Sequence, residues 1–167
     1  MIHERVPGTR VIRPVVPAEL ADVVALHTRA RATYYPGGLP QDGTDWHAAW
    51  RTAVERPGGR VLCVAEQGRL IGLASFRTPE GAAADLVKLY QFHVDPEHWR
   101  RGVGTALHRA CVEEWTADRR HTAVLDVHVD NRRAQDFYAR QGWLPDPENP
   151  PADGDHHRCL RFEVPGA

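Results

Sequence analysis

The stretch from Leu86 to Trp115, LVKLYQFHVDPEHWRRGVGTALHRACVEEW, allows few folds. It begins as a strand, Leu86 to Val94, apolar on both faces at several positions, as an interior strand needs. Pro96 stops the strand, because proline has no N–H to give to a ladder. A basic loop with Arg100 and Arg101 follows, and Gly102-Val103-Gly104 leads directly into a helix. On that helix Val103, Leu107, Ala110, Cys111 and Trp115 recur with helical spacing. A glycine-rich turn at a helix start leaves several backbone N–H groups without an internal acceptor. The helix dipole adds partial positive charge, and the arginines add more. The combination is a receptor for phosphate.

The other elements fall around this one. Arg10 to Arg13 reads as a short strand closed by Pro14. Pro17 suits the first turn of a helix carrying Leu20, Val23, Val24 and Ala30, which should end near Thr33. Tyr34 to Gly43 is a Pro/Gly loop, and Thr44 is expected to cap a second helix with Trp46, Ala49, Trp50 and Ala53 on one face. Val61 to Glu66 and Leu70 to Phe76, joined by Gln67-Gly68, read as a hairpin. His121 to Val129 is a strand, Asn131 to Gln141 a helix ended by Gly142, and Trp143-Leu144 the start of a strand. A Pro-rich acidic loop, Asp146 to Asp155, leads to a last strand, His157 to Val164. Residues 1 to 9 read as a flexible lead-in. The order is mixed α/β, without internal repeat or linker, so a single domain over residues 1–167 with a core at about 10–164 is expected.

Bulk properties exclude several classes of function. A formal net charge of −1 gives no global field toward nucleic acid or an acidic membrane surface. No apolar run approaches the roughly 20 residues of a membrane span, and the charged start MIHERVPGTR does not resemble a secretory signal. Cys63, Cys111 and Cys159 are few, odd in number and far apart, which points to the reducing cytoplasm. No Cys or His spacing suggests a metal site.

Val94-Asp95-Pro96 followed by Arg101-Gly102-Val103-Gly104-Thr105-Ala106-Leu107 resembles the acetyl-CoA-binding motif of the GNAT superfamily of N-acetyltransferases, which ends in Q/R-x-x-G-x-G/A. Leu125-Asp126-Val127, then Asn131, Ala134, Phe137, Tyr138 and Gly142-Trp143, resembles the family's second core motif. The resemblance implies a mixed, mostly antiparallel central sheet of about seven strands flanked by about four helices, with its central strands splayed. It implies acetyl-CoA as co-substrate, no metal, and direct transfer to a primary amine on a small molecule or peptide. Homodimers are common in the family. Backbone groups of Phe92 and Val94 would hold the pantetheine arm and acetyl carbonyl, with His93 between them. The loop Trp99, Arg100, Arg101, Gly102, Val103, Gly104 and Thr105 would hold the pyrophosphate. Asn131 would sit near the pantetheine, Tyr138 would give a proton to the departing thiolate, and Tyr34 and Tyr35 would border the acceptor pocket. A phenol of pKa ~10 suits a thiolate of similar basicity.

This chain departs from the family's pattern at two positions. Trp99 stands where the family usually has Gln or Arg, so one side-chain contact to phosphate is missing, and Arg100 and Arg101 are expected to replace its charge. Lys88 falls near the position of the family's frequent acidic base. A lysine is no base at neutral pH unless strongly desolvated, which leaves His93, Asp126 or His128 as base or water relay. A non-catalytic acyl-CoA-binding module on the same fold is the alternative, with Lys88 as its support. A Rossmann dinucleotide site fits less well, since Leu107 replaces the third glycine, and a P-loop lacks its Gly-Lys-Ser/Thr.

Overall fold

A computed structural model describes residues 9–166. Seven strands form one sheet in the order β1-β2-β3-β4-β5-β7-β6. They are β1 (Arg10–Pro14), β2 (Arg60–Glu66), β3 (Arg69–Arg77), β4 (Leu86–Val94), β5 (Thr122–His128), β6 (Leu144–Pro145) and β7 (His157–Glu163). Only β4 and β5 run parallel. The helices are α1 (Leu20–Ala32), α2 (Trp46–Glu55), α3 (Val103–Ala117) and α4 (Arg132–Gln141). The mixed, mostly antiparallel architecture is the expected one. The lead-in at residues 1–8 lies outside the described residues. Among the described residues no helix is long and apolar enough to cross a membrane.

The sheet separates two cores, because alternate residues of a strand face opposite ways. On β2, Leu62 and Val64 pack toward α3 with Leu107, Cys111 and Trp115, while Val61 and Cys63 pack toward α1 and α2 with Val23, Leu26 and Trp50. Gln67 and Gly68 both have positive φ, 52° and 77°, as a two-residue hairpin turn requires. Asp45, not Thr44, caps α2: its carboxylate accepts the Ala48 N–H at 3.0 Å. A cap side chain bonds the N–H three residues on, and Asp45 is the polar residue that stands next to the first helical turn. Thr44 instead gives its own N–H to Asp42 at 3.0 Å.

β4 and β5 pair only from Leu86–Leu89 against Thr122–Leu125. Beyond that point β4 stays bonded to β3, and β5 to β7, so the two central strands part. A bulge marks the place: Ser75 pairs with Gln91 and Phe76 with Leu89, leaving Tyr90 extra on β4. An extra residue bends its strand and sharpens the twist, which turns the end of β4 away from β5. Side chains from both faces of the sheet can reach the resulting opening.

Candidate active site

A cleft of about 230 Å³ runs from the start of α3 to the opening between β4 and β5. At its outer end Gly102 takes φ 76°, and the first backbone bond of α3 joins Ala106 N–H to Gly102 C=O at 3.0 Å. The amides of Val103, Gly104 and Thr105 precede that bond and are the free donors of the helix start. A glycine cap brings no side chain to occupy them. A Cβ on Gly104 would lie 3.4 Å from Phe137 and 3.6 Å from Val94, so glycine also lets α3 approach α4 and β4 closely. Arg100 too adopts positive φ, 64°, a conformation disfavoured for a side-chain-bearing residue and held here by the loop around it.

That loop is anchored from beneath. Asp95 is fully buried, pairs with Arg29 of α1 at 3.1 Å and Arg69 of β3 at 3.4 Å, and accepts the Glu97 N–H at 3.1 Å. Trp99 gives its indole N–H to the Val94 carbonyl at 3.2 Å, and the Arg133 guanidinium lies 3.7 Å from the Trp99 ring centre. Arg133 and Arg140 of α4 join Arg100 in lining the cleft, and among the described residues no carboxylate lines it. Three guanidinium groups in one cleft with unfilled amides suit a polyanion. Sequence reasoning missed Arg133 and Arg140; the signal was Arg132-Arg133 directly after the Asn131 cap. Arg101 is exposed and is not among the lining residues.

At the inner end Phe92 stacks on Phe137 at 5.5 Å and meets Tyr138 edge-on at 6.0 Å. Tyr138 is buried but lines the cleft, and burial raises its phenol above the ordinary value. Asn131 caps α4 through the Ala134 N–H at 3.2 Å and also lines the cleft. Gly142 ends α4 at φ 102°, and the Trp143 N–H returns to the Tyr138 carbonyl at 3.0 Å, which fixes the turn carrying the phenol. Tyr34 reaches the cleft, while Tyr35 stacks behind it at 5.0 Å.

The three base candidates separate. His93 lines the cleft, and burial lowers its pKa to about 3. His128 lies against Tyr34 and Tyr35 at 5.5 and 5.0 Å, and its Nδ1 accepts the Asp130 N–H at 3.1 Å. That bond uses the lone pair a base would need and places the proton of the neutral ring on Nε2. Asp126 is not brought to the cleft. It faces a separate hollow, pairs with Lys88 at 2.9 Å and accepts the Cys159 thiol at 3.1 Å.

Such a sheet, opened between its central strands with a helix start aimed at the gap, is that of an acetyltransferase. The chain belongs to the acetyltransferase (GNAT) family, which it matches over residues 23–143. No curated protein sequence matches it significantly. Among solved structures it is similar to the PaiA N-acetyltransferase of Thermoplasma acidophilum in complex with coenzyme A, with 15% identity over 93% of this chain and 99% of that one, and TM-score 0.74. It is also similar to the ribosomal-protein-S18-alanine N-acetyltransferase of Escherichia coli, with 18% identity over 93% and 94% and TM-score 0.73. A GNAT-family acetyltransferase of Staphylococcus aureus aligns at 11% identity over 93% and 99%, with TM-score 0.78. At these identities the likeness is one of fold.

Proposed function

We propose that this chain is an N-acetyltransferase of the cytoplasm that moves acetyl from acetyl-CoA to a primary amine by direct transfer in a ternary complex. The observation that carries this reading is the cleft itself, lined by free helix-start amides, three arginines and the Tyr138 phenol, with no carboxylate among the described lining residues. The whole chain acts as a single domain, with its working core over residues 10–164.

Acetyl-CoA supplies the acetyl group as an activated thioester. The amides of Val103, Gly104 and Thr105, with Arg100 and Arg133, hold its diphosphate. The backbone of β4 beyond Tyr90 has no β5 partner, and it receives the pantetheine arm as a strand would. Tyr138 gives its proton to the departing sulfur, and its raised pKa keeps that proton in place until then. His93 takes the proton of the acceptor amine. Direct transfer is favoured because the cysteines are poor nucleophiles: Cys63 and Cys111 are buried with raised pKa values, and Cys159 is pushed up to about 11 by burial and Asp126. The acceptor is a small-molecule or peptide amine entering past Tyr34 and Tyr35.

Calorimetric titration with acetyl-CoA, CoA and NAD tests the cofactor. Heat with the first two and none with NAD is expected; no heat with acetyl-CoA ends the reading. Thiol release across spermidine, lysine, kanamycin and peptide N-termini then tests transfer. Binding without release from any amine would favour a non-catalytic acyl-CoA sensor, the reading that Lys88 at the usual acidic position supports.

A further inference from the structure

A polar chain passes through the α1–α2 side of the sheet and ends at the cleft. Trp50 of α2 is almost fully buried and donates its indole N–H to Nδ1 of His27 at 3.1 Å. His27 of α1 is 1% exposed in a cluster otherwise built from Val23, Leu26, Leu73 and other apolar side chains. Burial holds its pKa near 4, so the ring is neutral, and an accepting Nδ1 puts the proton on Nε2. The His27 ring lies 4.8 Å from that of His93, tilted by 52°. His93 in turn meets the Gln91 amide oxygen through Nε2 at 2.7 Å. An amide oxygen only accepts, so the His93 proton is on Nε2 and Nδ1 is the unprotonated nitrogen of an imidazole lining the cleft.

Two of the three contacts, Trp50 to His27 and His27 to His93, join residues far apart in the chain, and apolar side chains would fill the same space without the desolvation cost. Core packing therefore leaves this chain of polar groups unexplained. The titratable and charged groups around His93 are His27 and Arg31 of α1, Tyr34 just beyond it, His98 in the turn after β4 and Tyr138 of α4. Arg100, Arg133 and Arg140 lie along the same cleft. Among the described residues none that lines the cleft is a carboxylate, and Asp95, two residues on in the chain, is already paired with Arg29 and Arg69.

We infer that His27 and Gln91 are positioning residues for acetyl transfer: Gln91 fixes His93 in its Nε2–H form, and His27, itself fixed by Trp50, holds that ring so that Nδ1 is kept as the acceptor of the amine's proton. The inference rests on the transfer reading above. It differs from that reading in giving a role to three side chains outside the shared motifs.

Long-range proton–nitrogen spectra of the free protein report the tautomer of each histidine and need no acceptor. His93 is expected as a single Nε2–H form across about pH 5–8. In Gln91→Glu the new carboxylate favours the imidazolium, so the His93 titration and the acid limb of kcat, measured with the best amine of the panel, move up together by roughly 1–3 pH units. In His27→Gln the acceptor for Trp50 survives but the ring against His93 is gone. The Gln91 oxygen still holds the proton on Nε2, so His93 should stay a single tautomer, while the loosened ring should lower kcat about tenfold or more at unchanged acetyl-CoA affinity. Should His27→Gln not fold, Trp50→Phe removes the N–H while keeping an aromatic ring at the position, and carries the same test. A His93 that shows both tautomers in the free protein, an unchanged kcat in His27→Gln and Trp50→Phe, or an acid limb that stays put while His93 titrates in Gln91→Glu, overturns the inference. Acetyl-CoA binding without thiol release from any amine instead strikes the transfer reading, and the spectra still separate the two.

Discussion

The two sides of the β4–β5 opening carry polar groups of similar number and opposite circumstance. On the side of β5 and β7, Lys88, Asp126 and Cys159 satisfy one another within 3.1 Å. On the side of α3 and α4, the helix-start amides face a cleft whose arginines meet no carboxylate among the described lining residues. Groups that have met one another resist exchange, because a new partner must first replace an existing bond. Groups left unmet have a standing gain from a ligand. Lys88, near which the family resemblance places an acidic residue, lies on the first side; the cleft that suits a nucleotide lies on the second. Residue identity near a catalytic position therefore says less than whether its bonding is already complete.

Tyr138→Phe should break this contrast most sharply. It leaves the cleft's shape and charge intact, so acetyl-CoA affinity should change less than about threefold, while turnover falls about 10²- to 10⁴-fold, the usual worth of a positioned proton donor. Equal loss of both would make the phenol structural. Gly102→Val comes next. A β-branched residue at φ 76° is strained by about 1–2 kcal/mol and displaces the amides, so acetyl-CoA affinity should fall roughly 5- to 30-fold by calorimetry. Unchanged affinity would remove the helix start from the binding site. Arg133→Ala deletes an exposed cation, and a roughly two- to fivefold loss that shrinks at high salt is expected.

The cleft side was legible in the sequence because its tasks admit few residue types. Positive φ asks for Gly102 and Gly142, the start of α4 for Asn131, and the end of β4 for Pro96. The α1–α2 side was not legible. His27 meets Trp50 across 23 residues, and reaches His93 only because α1 is laid over β4. A histidine among Leu and Val is ordinary on its own, and Trp50 read simply as core. The same holds for Arg140, which reaches the cleft only through the placing of α4, and for Asp126, whose partners Lys88 and Cys159 come from two neighbouring strands. Local chemistry shows in a sequence; a contact between distant elements does not.

The smallest effect tests the satisfied side. Burial alone would raise the Asp126 pKa, but hydrogen bonds from Lys88 and Cys159 outweigh it and hold the carboxylate below its ordinary value. A depressed folded pKa contributes stability above the unfolded value, near pH 4, and that contribution is lost as pH falls through the lower folded value. The side chain is 42% exposed, so screening limits the contribution to about 1 kcal/mol or less. Asp126→Asn should therefore lower the unfolding midpoint by a few degrees at most at pH 7, about 2–4 °C per kcal/mol for a domain of this size. The difference from the unsubstituted protein should close on acidification below about pH 4, as both lose the ion pair. Turnover at pH 7 should stay within about twofold, because this carboxylate faces a hollow other than the cleft and each of its oxygens already accepts a bond. Loss of turnover in a folded Asp126→Asn protein would make Asp126 the base despite its partners, and completeness of bonding would then no longer distinguish the two sides of the opening.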